Sequence, residues 1–179
     1  GQIKPGRMRH DVVGTLSRRA VIISEPLAHT SHIIHFDEVI SSLKDTQDYL
    51  PDFILYIGGT LVSKRLKAFL RKASDADVWR IDDDGDIHDT FMNLKTVVQG
   101  RHEDVLALLA DACRDVQGSG YAELWNRLSG AVAQCAADYE PLFSQMAVVK
   151  YFEEQLGDMD YDHDVYYANS SSVRLANIY

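Results

Sequence analysis

Apolar positions in this chain follow two spacings. Phe53–Ile57 is an unbroken apolar run, too short for a typical helix. It suits a strand covered on both faces, as in parallel sheets. Gly58 and Gly59 end the run, and Val62, Leu66, Phe69 and Leu70 then recur at helical spacing. The same strand pattern is repeated at Ala20–Ile23, Asp77–Ile81 and Thr96–Gln99. Helical stripes lie between and around these runs. Met8, Val12, Val13 and Leu16 form one, and His35–Leu43 carries Phe36, Val39, Ile40 and Leu43 on one side. Glu103–Cys113 does the same through Val105, Leu108, Leu109 and Ala112. Alternating helices and strands predict an α/β fold: a Rossmann-like parallel sheet with flanking helices and right-handed crossovers.

The pattern changes after the break at Gln117–Gly120. Tyr121–Ala136 is a strongly amphipathic helix, with Tyr121, Leu124, Trp125, Leu128, Val132 and Cys135 on one face. Pro141 suits the first turn of another helix, whose inward positions are Leu142, Met146, Val149, Phe152 and Leu156. An acidic linker leads to a short strand, Asp164–Ala168, and a last helix that Asn169 or Ser170 can cap. The expected organisation is a central α/β domain over residues 1–117. Residues 118–179 are a helical connection and the beginning of a further domain. A chain that starts at Gly1 without Met and stops within a βα unit reads as a piece of a longer protein.

Composition narrows the functional classes. The chain has 179 residues, 46% hydrophobic and 25% charged, within the ordinary range for a soluble globular protein. Its formal net charge of -9 argues against non-specific binding to nucleic acid or an anionic membrane surface. No apolar run approaches the roughly 20 residues that span a bilayer, and no signal peptide is visible. The two cysteines, Cys113 and Cys135, fall on apolar helix faces and are expected as buried thiols in a reducing, cytoplasmic compartment.

Candidate chemistry gathers where the first long strand turns into its helix. A glycine turn into a helix start directs backbone N–H groups and the positive helix end toward any anion there. Lys64 and Arg65 add formal charge in that first turn, where propensity does not favour cations. They are either anion ligands or solvated surface residues. No G-x-G-x-x-G follows a strand and no P-loop is present, so the dinucleotide fingerprint is missing. His29, His32 and His35 recur every third residue, but no Cys or second His pair completes a zinc set. The acidic loop from Asp82 fails as a calcium loop. Ile87 stands where glycine is needed and Asn93 where the bidentate Glu belongs.

Two motifs carry a resemblance. Gly58–Leu66 reads G-G-x-L-V-S-K-R-L after a strand preceded by Pro-Asp, and Ala168–Arg174 reads A-N-S-S-S-V-R. Together, in this order and separation, they resemble the thiamine-diphosphate enzyme family of 2-succinyl-5-enolpyruvyl-6-hydroxy-3-cyclohexene-1-carboxylate synthase, from menaquinone biosynthesis. Ser24–Ala28 (SEPLA) is similar to a loop of the same family. The resemblance implies a central domain lacking its first strand, followed by the start of the pyrophosphate-binding domain. It implies a parent that decarboxylates 2-oxoglutarate and adds the succinic-semialdehyde unit to isochorismate. That parent uses thiamine diphosphate with Mg2+ or Mn2+ and is a homo-oligomer, dimer or tetramer. By the same resemblance Lys64, Arg65, Asn169, Ser170 and Arg174 are substrate-binding residues, since both substrates are dicarboxylates. The family's magnesium and diphosphate signature and its activating glutamate do not fall within residues 1–179. The chain alone is therefore expected to hold no catalytic residue, to bind no cofactor or metal and to have no turnover. Two other readings are a non-catalytic Rossmann-like module for a nucleotide or carboxylate effector, and a segment that only joins neighbouring domains.

Overall fold

Phe53–Ile57 (β1), Asp77–Asp82 (β2) and Leu94–Gln99 (β3) form a three-stranded parallel sheet in the order β1-β2-β3. A computed structural model describes residues 9–25, 35–118, 120–160, 164–176 and 178–179. The flanking helices are His10–Ser17 (α1), Phe36–Ser42 (α2), Lys64–Leu70 (α3), His102–Ala112 (α4) and Gly120–Asp138 (α5). Gln145–Gly157 (α6) and Ser171–Ala176 (α7) follow. In register, Tyr56 sits beside Arg80 and Ile57 beside Ile81, while Asp82 sits beside Gln99. A bulge between Val78 and Trp79 shifts the second ladder. β1 reaches β2 through α3. β2 reaches β3 through the acidic loop, without a helix.

Alternation along the strands sorts the core into two layers, as the unbroken apolar run requires. Ile54, Tyr56 and Val78 face Phe36 and Val39 of α2 and Leu66 and Phe69 of α3. Trp125 of α5 completes this layer, 1% exposed, with edge-on ring contacts to Tyr49, Phe69 and Tyr121. Tyr121 donates a hydrogen bond to the Tyr49 carbonyl at 2.8 Å, and burial pushes its hydroxyl pKa up to about 12. On the other side Ile81, Leu55, Ile57 and Val98 meet Val12 of α1 and Leu106 and Ala110 of α4. The α/β fold with a parallel sheet and helices on both faces is the one the pattern predicts. Among the described residues no helix is long and apolar enough to cross a membrane.

Several elements differ from their sequence pattern. Ala20–Ile23 forms only an isolated bridge at Ile23. Next to it, Arg19 donates to the carbonyls of Thr15, Arg114 and Val116, tying the end of α1 to the loop after α4. Pro141 lies outside α6, whose cap is Ser144; its hydroxyl accepts the Ala147 N–H at 3.4 Å. Leu142 and Phe143 are consequently exposed. Asp164–Ala168 runs irregularly, because no described strand lies beside it to complete a ladder. Neither thiol is buried: Cys135 is exposed and Cys113 half-buried. The last turns of α5 extend past the core that its first turns cover.

Candidate functional site

The turn after β1 is built around a buried carboxylate. Gly58 has φ +82°, a conformation open to glycine at little cost. The Tyr56 hydroxyl donates to the Gly59 carbonyl and holds the turn over the sheet. Ser63 caps α3, accepting the Leu66 N–H at 2.9 Å while its own hydroxyl donates to Asp37 Oδ1 at 2.6 Å. The N–H groups of Val62 and Ser63 both donate to Glu25. Val62 lies 2.8 and 3.0 Å from the two carboxylate oxygens and Ser63 lies 2.7 Å from Oε1. Glu25 is 1% exposed. The turn does gather an anion, as expected of a helix start, but that anion belongs to the chain itself. This disfavours the effector-module reading at this position.

Lys64 and Arg65 occupy the first turn of α3, as expected, and both are exposed. Arg65 Nη1 donates to the Asp37 carbonyl at 3.1 Å, so its guanidinium leans across the start of α2. The buried negative charge of Glu25 beside them offsets the unfavourable position of two cations at a helix amino end. Nearby, burial pushes the Glu38 carboxyl above its ordinary range; Asp37 adds to the effect and Arg65 opposes it. Burial lowers the pKa of His35, whose Nδ1 has no hydrogen-bond partner.

The second set of residues sits at the start of α7. Asn169 and Ser170 form a turn, with Ser170 at φ +85° and its N–H donating to Asn169 Oδ1 at 2.7 Å. α7 begins at Ser171, so Ser170 stands outside the helix and does not share a helix face with Arg174. Ser171 takes that place. It lines an open groove of about 540 Å³ with Arg174, Leu175, Ser144, Gln145 and Met146. Arg174 is exposed there, while Val173 and Ala176 are buried. Tyr167 ties the segment before α7 to α6 by donating to Glu153 at 2.7 Å.

Each motif is assembled locally. Lys64 and Arg65 stand on α3 against α2, while Asn169 and Ser170 stand just before α7 and Arg174 in its last turn, against α6. The groove that contains Arg174 has no lining residue from α3. Sequence reasoning missed Glu25 and the buried Lys150 of α6 as structural centres. The signal for Glu25 was an acid two positions after an apolar run in a chain with an anion-ready turn. His29 and His32 lie outside the described residues. Among the described residues no group of three or more His, Cys, Asp or Glu is placed to hold a metal ion. In the acidic loop, Asp82 is committed to Arg80 at 2.6 Å and to the N–H groups of Asp84 and Asp86. Among the described residues, then, none is grouped to hold magnesium, or a diphosphate through it.

Fold and site together define a Rossmann-like α/β domain with exposed cations on the first turn of α3, joined to a helical extension whose last helix carries the exposed Arg174. No family model matches the chain. Curated relatives do, and they carry the name that the two motifs suggested. The chain is 25% identical over 147 residues to the 2-succinyl-5-enolpyruvyl-6-hydroxy-3-cyclohexene-1-carboxylate synthase of Bacteroides thetaiotaomicron, covering 81% of this chain and 25% of the relative. It is 26% identical over 150 residues to the same-named protein of Porphyromonas gingivalis, covering 80% and 26%. The match to that of Flavobacterium johnsoniae is 40% identical over 58 residues, covering 31% and 10%. The chain therefore spans about a quarter of the length of the first two relatives.

Proposed function

We propose that this chain is the central-domain portion of a thiamine-diphosphate-dependent synthase of menaquinone biosynthesis. The parent decarboxylates 2-oxoglutarate and adds the resulting four-carbon unit to isochorismate. The observation that carries this reading is similarity along four-fifths of the chain to synthases of that name. The cofactor, when bound to the parent, supplies the ylid and the electron sink. This chain supplies cations for the substrate carboxylates. Arg65 and Arg174 offer bidentate guanidinium forks and Lys64 a point charge. Asn169 and Ser170 shape the turn that leads into α7, the helix that presents Arg174. The parent acts as a homo-oligomer in the cytoplasm.

Steady-state kinetics of the full-length parent tests the assignment. Arg174→Ala and Arg65→Ala are each expected to raise KM for a dicarboxylate substrate about tenfold, the loss of one charge-assisted pair. Unchanged KM and kcat in both variants refute the substrate-binding role. Titration of the 179-residue chain with thiamine diphosphate and Mg2+ should give no saturable heat; a stoichiometric, tight isotherm places the cofactor seat within this chain.

A further inference from the structure

We propose that Lys150 is a positioning residue that sets the groove in which Arg174 lies. The proposal rests on the reading that Arg174 contacts a substrate carboxylate. Lys150 is 6% exposed, and lysine is almost never so buried unless its charge is matched. Its ammonium donates to the Ala137 carbonyl at 3.0 Å, the Tyr139 carbonyl at 2.7 Å and Glu140 Oε1 at 3.1 Å. Glu154 lies 3.9 Å away on the next turn, and the Tyr179 ring centroid lies 6.0 Å away.

These partners come from three elements. Ala137 and Tyr139 present the carbonyls at the end of α5, which have no partner within that helix. A cation there also complements the helix dipole. Glu154 belongs to α6 itself, and Tyr179 follows α7. Among the described residues, the hydrogen bonds that join the end of α5 to α6 all come from Lys150. The cap of its own helix, Ser144, and the first helical residues, Gln145 and Met146, form one wall of the groove; α7, with Arg174, is the other. Met146 stands one turn before Lys150 on the same helical face. α5 is fixed to the central core by Trp125 and by the bond from Tyr121 to Tyr49. Lys150 thus links the core to both walls of the groove. A burial of this kind is more than surface charge decoration, because all three ammonium donors are used on one joint.

A double-mutant cycle on the full-length parent tests this, with 2-oxoglutarate and isochorismate as the varied substrates. Lys150→Met keeps the stem and removes the donors; Arg174→Met removes the guanidinium. If Lys150 acts through Arg174, Lys150→Met raises KM about tenfold, as expected when a binding group is displaced by a fraction of an ångström. The double variant is then no worse than Arg174→Met alone, and Lys150→Arg recovers most of the loss. A wild-type KM for Lys150→Met, or effects of the two variants that multiply, overturns the proposal while leaving the substrate role of Arg174 standing. A wild-type KM for Arg174→Met overturns the underlying reading instead. Should Lys150→Met fail to fold, Lys150→Gln, which retains two donors, is put through the same cycle with the same deciding outcomes.

Discussion

Replacing Glu25 with alanine removes a buried carboxylate that satisfies the Val62 and Ser63 N–H groups. Both groups then lose their acceptor at a site where Glu25 itself is only 1% exposed. Hydrogen bonds to a charged group contribute about 1.5–3 kcal/mol each, so two lost bonds set a gross cost of about 3–6 kcal/mol. Relief from desolvating the carboxylate returns part of it. A net loss of about 3 kcal/mol remains, against a total stability on the order of 5–15 kcal/mol. With a urea slope of about 2 kcal/mol per molar, the unfolding midpoint should fall by roughly 1.5 M. Glu25→Gln keeps one acceptor oxygen without the charge and should fall about half as far. Far-UV circular dichroism in a urea series measures all three proteins. An alanine variant within about 0.25 M of the wild-type midpoint refutes the assignment of Glu25 as the anion that holds the turn. A glutamine variant equal to wild type shows that the hydrogen bonds matter and the charge does not.

Three further perturbations follow from the packing and the titration behaviour. Trp125→Ala empties the centre of the layer between β1, α2 and α3, and should cost about 3–5 kcal/mol by denaturant melts. The Glu38 carboxyl is raised by burial, so its contribution is present below its unfolded pKa and is lost as pH rises through the folded value. Glu38→Gln should therefore raise Tm at pH 7, with the gain vanishing below about pH 4 in melts run across that range. Met92 has φ +72° and is exposed, so Met92→Gly should stabilise by about 0.5–1 kcal/mol in spite of the added chain entropy; a loss in chemical melts shows that the loop tolerates its side chain without strain.

The stretch from Phe53 to Leu70 was legible because each of its determinants is local. An apolar run, a glycine pair and a 3.6-residue stripe specify strand, turn and helix without reference to the rest of the chain. Lys64 and Arg65 were placed correctly on the first turn for the same reason. What fills the turn was not legible, since Glu25 meets Val62 across 37 positions and no pattern encodes that distance. Lys150 was hidden differently. Apolar periodicity assigned the inward face of this helix to Leu142, Met146, Val149, Phe152 and Leu156, yet the residue buried within α6 is the lysine that reaches the end of α5. Ser144 as a cap was readable from its place ahead of the apolar stripe, but Pro141 drew the helix start too early. The groove beside Arg174 depends on two helices meeting, and only their separate amphipathicity was in the sequence.

The packing of α5 on the first core layer has a consequence for how the protein is made. Tyr121 bonds to a residue 72 positions earlier, and Trp125 packs against both Tyr49 and Phe69. During synthesis the strands, α2 and α3 all emerge before α5 does. Until α5 arrives, the aromatic side chains on that layer stand uncovered, a state in which nascent chains are prone to associate. The order of elements therefore makes α5 the closing step: the sheet can pair early, but its core becomes dry only after the helical extension has left the ribosome.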